Sequence, residues 1–455
     1  MDMSIENRGV ELTHYSVSGF RSLTDFSIGL NRGLNVLVGP NGSGKTNFIE
    51  FLDFLSSAIS QSAATAVSQA GGVARVFSQE QSKSKTSKIS AIISGVADME
   101  GRVDDKELKI FNFEYEIEIK FSRSQSVIFV SKETIKFRKL RQAHELELCR
   151  SPVGAISVRR QVGTLDKGPV FEVSPRLQTK NIRNPLRYLN RFGMAFRAPD
   201  EKNLDSIYVG FDESIFSARQ NHPAVDAVRS AITRGRSFNL VPEHVRVPDD
   251  LTRTPAIYPD GSGLTATLYH LQRASQPTRR SRPVISRRFL PEHLEAIVEW
   301  TKLVFPELNG VSVVADPHTG KYLGYLNIGQ ESLKIPLQSA SDGTLKWLGL
   351  VTLIITRGGI YSVEEPENFL HPKMQQYLID LIRDFSSEPG RPGYFIMSSH
   401  SETIINKCHP DELILFDFVN GKTQCSRLEN QEAVLEQINE TGFGLGYYYA
   451  NNAVS

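Results

Sequence analysis

The stretch GPNGSGKT, Gly39 to Thr46, sets glycines, a lysine and a hydroxyl residue in the spacing G-x-x-x-x-G-K-[ST]. Glycines let a backbone turn tightly enough for its N–H groups to close round phosphate oxygens, and a helix opening at Gly44 and Lys45 aims its positive dipole at them. Lys45 then reaches the β- and γ-phosphates of a nucleotide such as ATP, and the Thr46 hydroxyl ligates Mg²⁺. A second group ends the apolar run Ile360 to Val363, where Glu364 and Glu365 stand side by side. Adjacent carboxylates at the end of a strand can divide the labour. Glu364 orients Mg²⁺ through its water, while Glu365 accepts a proton from, or orients, an attacking water. The next apolar run, YFIMSS, ends at His400, which places an imidazole at the same sheet edge for contact with the γ-phosphate.

A fourth group, Ser341-Asp342-Gly343-Thr344, opens an apolar helix and offers a hydroxyl and main-chain N–H groups to an anion. One phosphate site does not need two helix N-termini from distant parts of one chain. Two chains packed head to tail do, each giving its phosphate loop to one nucleotide and its Ser-x-Gly helix to the other.

Positioning these groups takes a sheet and its flanking helices. The segments HYSVSGF, DFSIGL and LNVLVG read as strands leading to the phosphate loop, and Phe48, Ile49, Leu52, Leu55 and Ile59 follow at helical spacing. Residues 113–121 and 126–137 alternate with period two and predict antiparallel strands. From 176 to 310 the chain is rich in Arg and Pro, with turn signals between helices such as LPEHLEAIVEWTKLVF. From 311 onward strands and helices alternate again, which predicts a largely parallel α/β sheet. ELILFDF and KTQCSRL close the chain as a strand pair before an end helix. The expected architecture is one α/β core assembled from both chain ends. Residues 1–175 form an N-terminal lobe with the phosphate loop and antiparallel strands, 176–310 an inserted basic, partly helical region, and 311–455 a C-terminal lobe.

With 455 residues, and about 150 per domain, the chain has room for about three structural units. Its hydrophobic share of 40% and charged share of 23% exclude a disordered or collagen-like protein. No apolar stretch approaches the roughly 18 residues of a membrane span, and the start carries no signal-peptide pattern. Cys149, Cys408 and Cys425 form neither a disulfide framework nor a zinc pattern, so a reduced, cytoplasmic protein is expected. The net charge of +1 hides an asymmetry: 131–200 holds 15 basic against 6 acidic residues, and 291–455 holds 11 against 21. A basic stretch at 271–290 contains Arg273, Arg279, Arg280, Arg282, Arg287 and Arg288 without any acid. Such stretches fit a phosphate backbone, and equally a solvated or protein-docking face.

Taken in order, the phosphate loop, the Ser-x-Gly helix, the strand ending in Glu-Glu-Pro-Glu and the strand ending in Ser-His-Ser resemble ABC-type ATPases. The form EEPENFLHP is similar to the soluble SMC/RecF/OLD-like branch, and so are the opening GFRSLTDFSIGLNRGLNVLVGPNGSGKTNFIE and the middle stretch YPDGSGLTATLYHLQ. The resemblance implies an ABC-type P-loop NTPase core with ATP and Mg²⁺ as cofactors. It implies a phosphate loop of Gly39, Asn41, Gly42, Ser43, Gly44, Lys45 and Thr46, signature residues Ser341 and Gly343 acting across a dimer, and Mg²⁺ held by Thr46 and Glu364. Glu365 matches the catalytic glutamate, His400 the switch histidine, and Glu367 to His371 the loop that communicates between sites. Glu364 stands where many relatives have Asp. Gln61, Gln69, Gln79 and Gln81 all lie in the window of the Q-loop glutamine, and the sequence does not choose between them. The 55 residues after His400 are too few for the Toprim nuclease domain of OLD-type relatives, and no sustained heptad arm of the SMC kind is present.

By analogy with relatives that lack an effector domain, the expected function is ATP hydrolysis at head-to-tail sites of a homodimer or larger homo-oligomer. The chain would serve as sensor or scaffold of a prokaryotic antiphage system and control a separately encoded nuclease or toxin. A RecF- or SMC-like repair ATPase that clamps DNA, and an ATP-fixed scaffold with little turnover, are the alternatives. A transporter subunit is disfavoured by the insertion and by the EEPE form. DNA is a candidate partner through the basic middle, and a membrane is not. Neutralising Arg279, Arg280, Arg282, Arg287 and Arg288 together is expected to weaken duplex binding and flatten its salt dependence, by about one unit of slope for each phosphate no longer neutralised. A salt titration of DNA affinity checks this, and an unchanged slope would assign the stretch to a protein-docking or solvated face.

Overall fold

The computed structural model describes residues 5–78, 86–101, 109–139, 155–161, 170–176, 212–214, 223–233, 235–275, 290–329, 333–357, 359–386, 393–428 and 431–450. Arg279, Arg280, Arg282, Arg287 and Arg288, with Cys149, Gln79 and Gln81, lie outside the described residues, as does much of the basic stretch 131–200. The strands in chain order begin with β1 (Ile5–Ser18), β2 (Phe26–Gly29) and β3 (Gly33–Val38). Next come β4 (Thr86–Gly101), β5 (Lys109–Ser122), β6 (Val127–Lys139), β7 (Ala155–Gln161), β8 (Val170–Arg176) and β9 (Arg236–Phe238). The rest are β10 (Leu308–Asp316), β11 (Lys321–Ile328), β12 (Leu333–Pro336), β13 (Gly359–Glu364), β14 (Gly393–Ser398), β15 (Leu413–Val419) and β16 (Lys422–Arg427). The chain forms two compact units, each drawn from three separate stretches of sequence.

The first unit comprises Met1–Arg32, Gly39–Arg236 and Phe416–Ser426. Its antiparallel sheet has the order β2-β1-β4-β5-β6-β7-β8. The period-two pattern read at 113–121 is the inside–outside alternation of β5, where Tyr115, Ile117 and Ile119 are buried between half-buried Glu114, Glu116 and Glu118. The helix Lys45–Ser60 packs its aromatic face on β1 and the segment after it, with ring centroids 5.9 Å apart for Phe48 and Tyr15 and 5.5 Å for Phe51 and Phe20. Edge-to-face pairs of this kind each add about 0.5–1.5 kcal/mol beyond the area they bury. The hairpin from Phe416 to Ser426 turns at Asn420 and Gly421, with φ of 52° and 81°, the conformation that the twist of a two-residue hairpin favours.

The second unit comprises Gly33–Val38, Ser237–Leu415 and Arg427–Ser455. Its central ladder is parallel: β13 pairs with β14, β14 with β3, and β3 with the first three residues of β15. Val36, Val38, Val363, Ile396 and Met397 are buried completely, as expected for parallel strands covered on both faces. The helix Asp342–Thr356 is buried from Leu345 to Thr356 on every side, so it runs through the core. The parallel reading from residue 311 onward holds for β13, β14 and β15 and fails for residues 308–336. There β10, β11 and β12 form an antiparallel meander, because the tight turn after Asp316, with Gly320 at φ 68°, is too short for a parallel crossover. Among the described residues no helix is long and apolar enough to cross a membrane.

The segment YPDGSGLTATLYHLQ owes its place to a buried carboxylate. Asp249, 2% exposed, accepts from Gly263 N and Ala266 N, both at 3.0 Å, and from Thr265 Oγ1 at 2.8 Å, and it pairs with Arg253 at 3.2 Å. It therefore caps the helix Leu264–Ala274 from outside, where Gly263 (φ 93°) has no side chain to do so. Asp249→Ala is expected to leave two buried N–H groups without acceptors and to lower stability by about 2–5 kcal/mol, read as a shift in the urea midpoint.

Candidate functional site

The phosphate loop leaves β3 at Val38 and opens the helix Lys45–Ser60 with left-handed backbone at Gly42 (φ 82°) and Gly44 (φ 102°). Two glycines are required by their neighbours. A Cβ on Gly39 would stand 2.2 Å from Phe416 O, and one on Gly44 would stand 1.9 Å from Thr423 Oγ1. A Cβ on Gly42 would meet nothing within 4 Å, so the loop is braced on one side by the 416–426 hairpin and open on the other. Lys45 is 6% exposed, and its ammonium donates to the carbonyls of Gly39 (2.7 Å) and Pro40 (3.0 Å) and to Ser43 Oγ (3.4 Å). Asn41 and Thr46 face solvent, and Ser43 is buried.

A polar chain supports this loop. Asn47 Nδ2 donates to Ser22 Oγ at 2.7 Å, and Ser22 Oγ meets Thr423 Oγ1 at 2.7 Å. Arg21, itself at φ 48°, donates to Asn47 Oδ1 at 3.2 Å and pairs with Glu50. Burial pulls the Arg21 guanidinium below its ordinary pKa, and the Glu50 carboxylate opposes that shift. Gln61 and Gln69 hydrogen-bond each other at 3.3 Å.

In the second unit the ladder aligns the carboxyl ends of three strands, with Glu364 opposite Ser398 and Ser398 opposite Leu37. Glu365 follows at φ 41°, a left-handed conformation that a glutamate adopts at a cost of about 1–3 kcal/mol. Its N–H is held by Ser398 O at 3.1 Å, and Asn368 Nδ2 donates to its carboxylate at 3.1 Å. The carboxylate itself is exposed. Glu367 Oε1 accepts from Ser399 Oγ at 2.9 Å and from His400 N at 2.8 Å, and Ser399 N donates to Leu37 O at 3.1 Å. The loop after β13 is thereby fastened to the loop after β14, with the exposed His400 at the join.

Ser341 is the N-cap of the helix Asp342–Thr356 and accepts from Thr344 N at 3.3 Å. A Cβ on Gly343 would lie 2.8 Å from Phe369 O, so this glycine rests against the loop from Glu367 to His371. The segment Leu240 to Arg246 grips this helix. Arg246 pairs with Asp342 and donates to Gln338 O at 3.3 Å, and Lys346 Nζ donates to Leu240 O at 2.8 Å. Lys346 is 1% exposed, and burial lowers its pKa to about 8 against the opposing charges of Glu367 and Glu365. Sequence reading placed Ser341, Gly343, Glu364, Glu365 and His400. The second unit brings these onto one sheet edge and the helix start beside it, while Gly39 to Thr46 belong to the first unit.

The profile of the family described as "AAA domain, putative AbiEii toxin, Type IV TA system" matches residues 34–406. The chain belongs to this family. Its curated relatives include the DNA replication and repair protein RecF of Renibacterium salmoninarum, 43% identical over 70 residues, which span 15% of this chain and 16% of that protein. RecF of Streptomyces avermitilis is 40% identical over 48 residues, 10% of this chain and 13% of the relative. The matched stretches thus span less than a fifth of these curated relatives. Among solved structures, an SMC head domain with an extended coiled coil, bound to the C-terminal domain of ScpA derived from Pyrococcus furiosus, is 13% identical. It covers 94% of this chain and 100% of its own, with a TM-score of 0.46. An SMC head bound to the C-winged helix domain of ScpA is 13% identical, covering 93% of this chain and 99% of its own, with a TM-score of 0.44.

As a member of this AAA family, the chain carries a nucleotide-binding ATPase core. The loop fits a nucleotide's phosphates: its glycines are braced from behind, Gly42 is open in front, and the Lys45 ammonium lies within the loop. The supporting residues Arg21, Ser22, Asn47 and Thr423 carry no local signature, since the contact between Ser22 and Thr423 joins opposite ends of the chain. Glu367 was already read as the start of the loop to His371, and Lys346 was within reach as the one charged residue of its helix after Asp342. Gly44→Ala is expected to abolish nucleotide binding in a chain that still folds, because its methyl group must displace Thr423. Calorimetry with ATP, beside a circular dichroism spectrum, checks both halves of that outcome.

Proposed function

We propose that the chain binds and hydrolyses ATP at composite sites formed by two copies packed head to tail. The alignment of Glu364, Ser398 and Leu37 carries this reading, because it sets the Glu365 and His400 loops beside the strand that feeds the phosphate loop. Lys45 and the main-chain N–H groups of the loop bind the phosphates. Mg²⁺, held by Thr46 and Glu364 when bound, would neutralise charge on the phosphate oxygens. Glu365, exposed and fixed by its strained backbone, takes a proton from the attacking water, and His400 holds the γ-phosphate end. Ser341 and Gly343 serve the neighbouring copy's nucleotide, which makes a homodimer or larger homo-oligomer the active form. By analogy with relatives that lack an effector domain, its biological role would be that of sensor or scaffold in a prokaryotic antiphage system, controlling a separately encoded nuclease or toxin. The similarity to RecF favours a second reading, a repair ATPase that clamps DNA.

Glu365→Gln is expected to retain ATP binding while kcat falls by about 10²–10⁴-fold, and Lys45→Ala to lose binding. Calorimetry and a phosphate-release assay on both variants check the two roles. Wild-type turnover in Glu365→Gln would move the base elsewhere, and unchanged affinity in folded Lys45→Ala would remove the phosphate-loop assignment.

A further inference from the structure

The helix that begins at Ser341 carries one charged residue, a lysine, in its buried run, and the charges of the carboxylate loop act on it. Lys346 lies within the run Leu345 to Thr356, all of it buried. Its ammonium donates to the Leu240 carbonyl at 2.8 Å, and the carboxylates of Glu367 and Glu365 lie close enough for their charges to act on it, Glu367 the more strongly. Glu367 uses Oε1 to hold Ser399 Oγ and His400 N, while its Oε2 is buried without a hydrogen-bond partner among the described residues. A buried carboxylate with one oxygen unsatisfied is costly unless a positive charge compensates it. The same helix touches the same loop a second time, where Gly343 meets Phe369 O.

We propose that Lys346 is a positioning residue: its buried ammonium offsets the buried, unpaired Oε2 of Glu367, which holds the main chain at His400 and links the helix that starts at Ser341 to the loops of Glu365 and His400 within one protomer. The proposal rests on the ATPase reading above. Because Ser341 serves one nucleotide and Glu365 the other, this pair would carry the state of one composite site to the next. The charged groups facing Lys346 are Glu367 and Glu365, the segment at Leu240 offers a carbonyl, and Asp342 at the helix start is engaged by Arg246.

The test compares wild type, Lys346→Met, Glu367→Gln and the double variant as full-length chains. Glu367→Gln keeps an acceptor for Ser399 and His400 but removes the charge. Lys346→Met is expected to lower kcat by about 10–100-fold, the range seen when a group that fixes an active-site ligand is removed, with KM for ATP almost unchanged. The double variant should be no slower and no less stable than Lys346→Met, because removing the second charge leaves nothing uncompensated. Additive losses in kcat and thermal midpoint, or wild-type kcat in folded Lys346→Met, would overturn the proposal.

A pH series separates the charge of Lys346 from its packing through kcat, while the stability trend reports its burial. The folded pKa is lowered to about 8 from the ordinary 10.5, so between these values the unfolded chain binds more protons. Wild-type stability relative to Lys346→Met should therefore rise with pH across that window, while wild-type kcat falls toward that of the variant. If wild type released no phosphate, the ATPase reading would fail, and non-additive thermal midpoints would still decide the Lys346–Glu367 pairing.

Discussion

The hydrogen-bonded ladder β13–β14–β3 is the constraint on which the arrangement of the second unit rests. Parallel pairing in register puts Glu364, Ser398 and Leu37 side by side, though they come from three distant parts of the chain. Each strand then releases a loop in the same direction. The ladder also explains why Glu365 tolerates a left-handed backbone, since its N–H is caught by Ser398 at the end of the neighbouring strand. Strain at that position is maintained because burial of Val363, Ile396 and Met397 leaves the strands no freedom to slip.

In the first unit the equivalent constraint is close approach. Gly39 and Gly44 sit against Phe416 O and Thr423 of the returning hairpin with no room for a methyl group. The Arg21–Asn47–Ser22–Thr423 chain fixes the helix start from the same side, and the face at Gly42 stays open. A loop whose backbone donors are held in place by such packing has little left to reorganise when an anion arrives.

The middle of the chain contributes by holding the helix Asp342–Thr356. Gly349 makes the fit possible, because a Cβ there would come within 2.9 Å of Leu240 Cδ2. With Arg246 on Asp342 and Lys346 on Leu240 O, the helix is tied at its start and one turn further in. Its position is therefore set jointly by residues 240–246 and by the loop at Phe369.

By itself the sequence determined what depends on local periodicity and motif spacing: the glycine-rich turn between β3 and the helix Lys45–Ser60, the strand ending at the two glutamates, the strand before His400, the helix capped by Ser341 and the alternation of β5. These were legible because backbone conformation and burial pattern leave a signal over a few residues. Tertiary structure alone decided which strands are neighbours, that residues 308–336 form a separate meander, and that Asp249 caps a helix it does not belong to. It also decided that Ser22 meets Thr423 and that Lys346 lies under the influence of Glu367. Pairings between residues far apart in the chain have no period and no fixed spacing. They follow from which buried surfaces fit together, and that is settled only when the whole chain has packed.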